Sequence, residues 1–168
     1  MKSIKLAPMN KLLITIILYS ILVSASELYF YLVESIFRFD DISINLFIVN
    51  SVLAAFFLGL LLTNISILID KSPNNISYKY NIVIFFFQVF HLKFYGFIFE
   101  FSSGIEFIPY FSTHEGYFFG LQYDIWNRVF VIFFSEDLSN FTIGVNLVSI
   151  IVLYIYYKNY LIVKHSRS

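Results

Sequence analysis

The chain has 168 residues, 59% of them apolar and only 13% charged, where a water-facing domain carries about 25% charge. A chain this apolar cannot cover itself with polar groups, which excludes a soluble domain of any size. Lys plus Arg and Asp plus Glu balance at 11 each, so neither a nucleic-acid surface nor an acidic tail is indicated. Cysteine is absent, which excludes disulfides, thiolate metal sites and a cysteine nucleophile. Phe, Tyr, Ile and Asn are abundant while Ala and Gly are scarce, the usage of an AT-rich genome such as many mitochondria and some bacteria possess.

The apolar residues fall in blocks near the length of about 20 that spans a bilayer. Residues 11–37 form the first, interrupted by Glu27 and Glu34. Its start also has the layout of a signal peptide, with Lys2 and Lys5 ahead of an apolar run and Val23-Ser24-Ala25 as the cleavage site. We read it as a retained helix. Arg38-Phe39-Asp40-Asp41 makes a charged turn before the uncharged block 44–69, where Ala54, Ala55 and Gly59 suit close helix contact. A loop at Asp70 to Asn75 leads to a third block, 80–101, carrying His91, Lys93 and Glu100 and broken near Ser102-Ser103-Gly104. Residues 117–134 reach the lower limit for spanning and contain Asp124 and Arg128, and Ser135-Glu136-Asp137 closes them. The last block, 139–163, runs into a basic tail. The expectation is therefore an all-α integral membrane protein, a single helical domain of about five transmembrane helices. The distribution of Lys and Arg fits four crossings instead, with 117–134 dipping in without crossing.

Charge within a bilayer is expensive, about 2.5–3.5 kcal/mol per residue on insertion scales. Glu27, Glu34, Lys93, Asp124 and Arg128 must each face a protein partner, water or the interface. Glu27 and Glu34 share one helix face. Asp124 and Arg128, four apart, suit a pair on one helix. Glu34 has a plain alternative at the headgroups near Arg38, and Lys93 one in snorkelling. A central Lys with a Glu on another helix is also the arrangement of a proton relay. His91, His114 and His165 are too scattered for a metal site, and no phosphate loop or nucleophile motif occurs, so neither metal nor cofactor is expected. Glycosylation triplets begin at Asn64, Asn75 and Asn140, which an Asn-rich chain produces by chance.

In order and spacing these residues resemble the first half of the antiporter-like subunit 2 of proton-pumping NADH:ubiquinone oxidoreductase, respiratory complex I. The similar stretches are Ser24-Ala25-Ser26-Glu27-Leu28-Tyr29-Phe30-Tyr31-Leu32-Val33-Glu34, the uncharged 47–59 helix, Leu92-Lys93-Phe94-Tyr95-Gly96, and Ile125-Trp126-Asn127-Arg128. Phe99-Glu100-Phe101 stands where the family has Pro-Phe-His-x-Trp, and Arg128 replaces a Lys. The resemblance implies a split, mitochondrially encoded subunit of the inner membrane, packed against other hydrophobic subunits and lipid, with no redox centre of its own. It implies a proton relay through Glu34, Lys93 and Arg128, with Glu27, His91 and Asp124 as second choices. Two alternatives stand beside it. One is a structural subunit of another membrane assembly such as cytochrome oxidase or ATP synthase, in a mitochondrial or bacterial inner membrane; the other is a small independent channel or transporter.

Overall fold

A computed structural model describes residues 10–37, 43–70, 74–113, 118–134 and 141–167. The elements run α1 (Lys11–Phe37), α2 (Ile44–Ile69), α3 (Asn75–Phe87), β1 (Phe90–Phe94), β2 (Phe97–Ser112), β3 (Phe118–Phe134), β4 (Thr142–Val145) and α4 (Leu147–Arg167). The charged turn at 38–41, His114, the 135–137 punctuation and Asn140 lie outside the described residues. Helices α1 and α2 occupy the first two expected spans. The all-α expectation fails after Phe87: the third expected span is helical only to that residue and continues as strands β1 and β2, the fourth is strand β3, and the last begins as strand β4 and turns helical at Leu147. Three helices are long and apolar enough to cross a bilayer, over Lys11–Val33, Phe47–Ile69 and Leu147–His165, which fits a membrane protein.

Three of the four described helices, α1, α3 and α4, begin at an Asn. Asn10 Oδ1 accepts from Leu12 N–H, Asn74 Oδ1 from Ile76 N–H, and Asn146 Oδ1 from Val148 and Ser149 N–H. A short acceptor at the N-cap satisfies donors that the first turn leaves without a partner. The abundance of Asn is thus put to structural use.

Two compact units compose the chain, one of Met1–Asn81 with Tyr156–Ser168, the other of Ile82–Ile155. In the helical unit, Leu13, Ile17, Val23, Leu53, Leu60 and Ile67 are buried. Tyr31 of α1 stacks on Phe57 of α2, ring centroids 5.9 Å apart. The small residue Gly59 admits Tyr80 of α3, whose ring occupies the space a Cβ would need and whose hydroxyl donates to Phe56 O at 2.9 Å. A polar chain crosses this apolar interior. The Tyr156 hydroxyl bonds both Ser20 Oγ and Asn64 Oδ1; Asn64 Nδ2 donates to Asn81 Oδ1 at 2.8 Å, and Asn81 Nδ2 to Thr63 Oγ1 at 3.1 Å. Ser20, Asn64, Asn81 and Tyr156 are all wholly buried, one from each helix. Asn64 is therefore a core residue and no glycosylation acceptor.

In the sheet unit, Tyr95 (φ 46°) and Gly96 (φ 79°) form a two-residue turn that pairs Phe94 with Phe97 and His91 with Glu100. Two successive positive φ values define the turn whose twist matches an antiparallel hairpin. Gly adopts that conformation without strain, whereas Tyr95 does so against its Cβ. Tyr95→Asn is expected to stabilise the unit by about 0.5–1 kcal/mol, since Asn tolerates the left-handed region; a melting temperature raised by a few degrees in detergent would show it.

Strand β2 pairs with β3 along its length, with β1 through residues 97–100, and with β4 through residues 110–112. Because β1 also pairs with β4, the strands β1, β2 and β4 form a closed ring of pairings. Gly104 (φ 85°) and the register shift between Gly104 and Glu106 supply the bend that closure requires. Alternation along β2 then sends Gly104, Glu106 and Ile108 to the buried side and Phe107 to the outside.

Candidate functional site

Cross-strand register gathers His91, Glu100 and Glu106 on the inner side of the ring. His91 sits between Glu100 on β2 and Gly144 on β4. Its Nδ1 lies 3.4 Å from Glu100 Oε1 and its Nε2 lies 3.7 Å from Glu106 Oε1. Glu106 is fully buried and His91 nearly so. Asn127 Nδ2 donates to Glu106 Oε2 in a short hydrogen bond. The remaining carboxylate oxygen, Glu106 Oε1, and the facing His91 Nε2 are both buried and make no hydrogen bond among the described residues.

A bulge in β3 makes this possible. Gly104 pairs with Asn127 and Glu106 with Asp124, so two residues of β3, Ile125 and Trp126, oppose Ile105 alone and both Asn127 and Asp124 come to the Glu106 side. Asp124 fixes the bulge by accepting from Trp126 N–H at 2.9 Å. Burial raises the Glu106 carboxyl above its usual range, and the charges of Glu100 and Asp124 push the same way; Asn127 and His91 oppose them. Against the ring lies a cavity of ≈ 320 Å³ lined by His91, Lys93, Glu100, Tyr110, Gln122 and Thr142, among others.

The residues singled out from sequence are dispersed by this fold. Glu34 is on α1 in the helical unit and Lys93 on β1 in the sheet unit, half-buried. Arg128 is a strand residue opposite Ser103; the side chains of Glu34 and Arg128 lie outside the described set. The expected Asp124–Arg128 pair rested on a helical turn, and four residues along a strand span about 13 Å instead. Glu27 is wholly buried in α1. His165 is exposed at the end of α4. Of the candidates, His91 and Asp124 belong to the cluster and Lys93 lines the adjoining cavity. In sequence Glu100 reads only as a charge within an apolar span and Asn127 only as part of a stretch around Arg128; the alternation of Glu100, Ser102, Gly104 and Glu106 is the signal that marks a common face. No group of three or more His, Asp or Glu side chains among the described residues is placed to hold a metal ion. No protein-family model, curated protein or solved structure matches this chain.

Proposed function

We propose that this is a membrane protein whose sheet unit takes up and releases a proton at the His91–Glu106 pair, with Glu100 holding the imidazole in place. The observation that carries this reading is that both ring nitrogens of His91 face carboxylate oxygens, at 3.4 Å and 3.7 Å. A neutral imidazole has one N–H and one lone pair. With the N–H on Nδ1 toward Glu100, the Nε2 lone pair faces Glu106, and the contact is favourable when Glu106 carries the proton. When Glu106 is ionised, the proton belongs on Nε2. The pair thus shares one proton between two sites, and the cavity beside His91 and Glu100 gives it a route to exchange.

The relay implied by the antiporter-like resemblance, through Glu34, Lys93 and Arg128, requires helices at Lys93 and Arg128, which are strand residues. The proposal keeps proton exchange from that reading and assigns it to His91, Glu100 and Glu106. Membership in a respiratory complex of the mitochondrial inner membrane would give the exchange a driving reaction.

Infrared titration tests it. A protonated-carboxyl band should titrate with pH in the unsubstituted protein and vanish in Glu106→Gln; a band unchanged by Glu106→Gln sinks the reading. Stability gives a second readout. The Glu106 carboxyl is raised above its ordinary 4.5, so its contribution is full below that value and is lost as pH rises through the raised one. Glu106→Gln removes the ionisation and keeps the acceptor for Asn127. Its stability relative to the unsubstituted chain is expected to improve as pH rises, measured by thermal melts across the range.

A further inference from the structure

Beyond Glu106, toward the tip of the β2–β3 hairpin, the side turned away from it is apolar. Phe107 pairs with Tyr123, Pro109 with Leu121 and Phe111 with Phe119, and Ile143 of β4 extends the row beside Phe111. Phe111 and Phe119 touch ring to ring, centroids 4.9 Å apart. This surface faces outward: Phe119 is 80% exposed, Leu121 66% and Tyr123 64%. A contiguous apolar patch of this kind is a contact surface for another phase or another molecule.

Three features of the unit identify its occupant. Strand β4 ends at Val145 and the apolar span of α4 begins at Leu147, so a single residue separates the sheet from a helix able to enter the bilayer. Strand β3 is the outer strand of the sheet among the described residues, so its far edge carries backbone groups that hydrocarbon cannot satisfy. The sheet therefore belongs within reach of water while its outer face needs apolar surroundings. The boundary between headgroups and acyl chains offers both, and it favours Tyr and Trp, here Tyr123 and Trp126.

We propose that the face bearing Phe107, Phe111, Phe119, Leu121 and Tyr123 rests in the headgroup–acyl boundary of a phospholipid bilayer, so that the hairpin lies along the membrane with its Glu106 side turned to water.

Adjacent positions on β3 test this sharply, because neighbouring strand residues point to opposite faces. The sequence has no cysteine, so Leu121→Cys and Gln122→Cys each provide a unique site for a nitroxide. In the full chain reconstituted in phosphatidylcholine vesicles, the label at position 121 should collide with oxygen and be shielded from a water-soluble nickel complex. The label at 122 should show the reverse, with accessibility ratios differing severalfold. Equal access of nickel to both positions overturns the proposal. So does spin–spin broadening at 121, which would mean that a second copy of the chain covers the face. The unsubstituted protein gives an independent check through Trp126, the only tryptophan in the sequence: acyl chains brominated near the headgroup should quench most of its emission, and emission untouched by them overturns the proposal as well.

Discussion

Asn64→Leu is expected to destabilise the helical unit by about 2–3 kcal/mol, because it strips partners from buried polar groups in an apolar interior. Asn64 accepts from Tyr156 and donates to Asn81 Oδ1 and Leu60 O. After substitution Tyr156 keeps Ser20, but the Asn81 carbonyl loses the donor on α2. The partner's loss weighs more than the bond itself, since interhelical hydrogen bonds within membranes contribute only about 0.6 kcal/mol on average. Replacing both Asn64 and Asn81 by Leu should therefore destabilise less than the two single changes together. Thermal loss of far-UV ellipticity in detergent measures each variant. Strict additivity would show that the chain of bonds does not act as a unit.

Gly144→Val is expected to be the most damaging change in the sheet unit. A Cβ at Gly144 would lie 2.7 Å from Ile108 Cγ2, 3.3 Å from Tyr110 Cβ and 3.4 Å from His91 Cβ. None of these atoms is the free end of a flexible side chain, so the clash is relieved only by opening the ring. Overpacking of this kind costs about 1–3 kcal/mol. Melting followed through Trp126 emission should shift downward, and Ile108→Ala in the same chain should recover part of the loss. A variant that melts like the unsubstituted protein would mean that β4 does not close against β1 and β2 as described.

The first two helices and the last were legible in the sequence and the strands between them were not, for a physical reason. Over 11–37 and 44–69, apolar length alone decides the outcome, because a run of that length with few charges has little alternative to a helix. Over 90–134, apolar length misleads. Phe, Tyr, Ile and Val are as suited to a strand as to lipid, and the deciding feature is the period. Glu100, Ser102, Gly104 and Glu106 recur at every second position, as do Gln122 and Asp124. That is the two-residue repeat of a strand with one polar face. Tyr95-Gly96 marked a hairpin turn, although its likeness to a Lys-to-Gly helical motif drew attention elsewhere. The site was hidden for the same reason. His91 looked isolated because its partners are nine and fifteen residues away, distances that mean nothing until the register of β1 on β2 and the bend at Gly104 are known.

The strand that completes the ring is also the last of the four to be synthesised. The β1–β2 and β2–β3 hairpins join neighbouring segments, whereas β4 closes against β1 across roughly fifty intervening residues. A growing chain that has not reached Thr142 has both hairpins available but one edge of β1 bare, with His91 still facing the space that Gly144 will fill. The moment of closure coincides with the emergence of α4, which starts one residue after β4. Closure of the ring beside His91 and arrival of α4 are thus adjacent events in the making of the protein. A ribosome stalled before residue 142 would hold a chain in which His91 lacks its neighbour on β4.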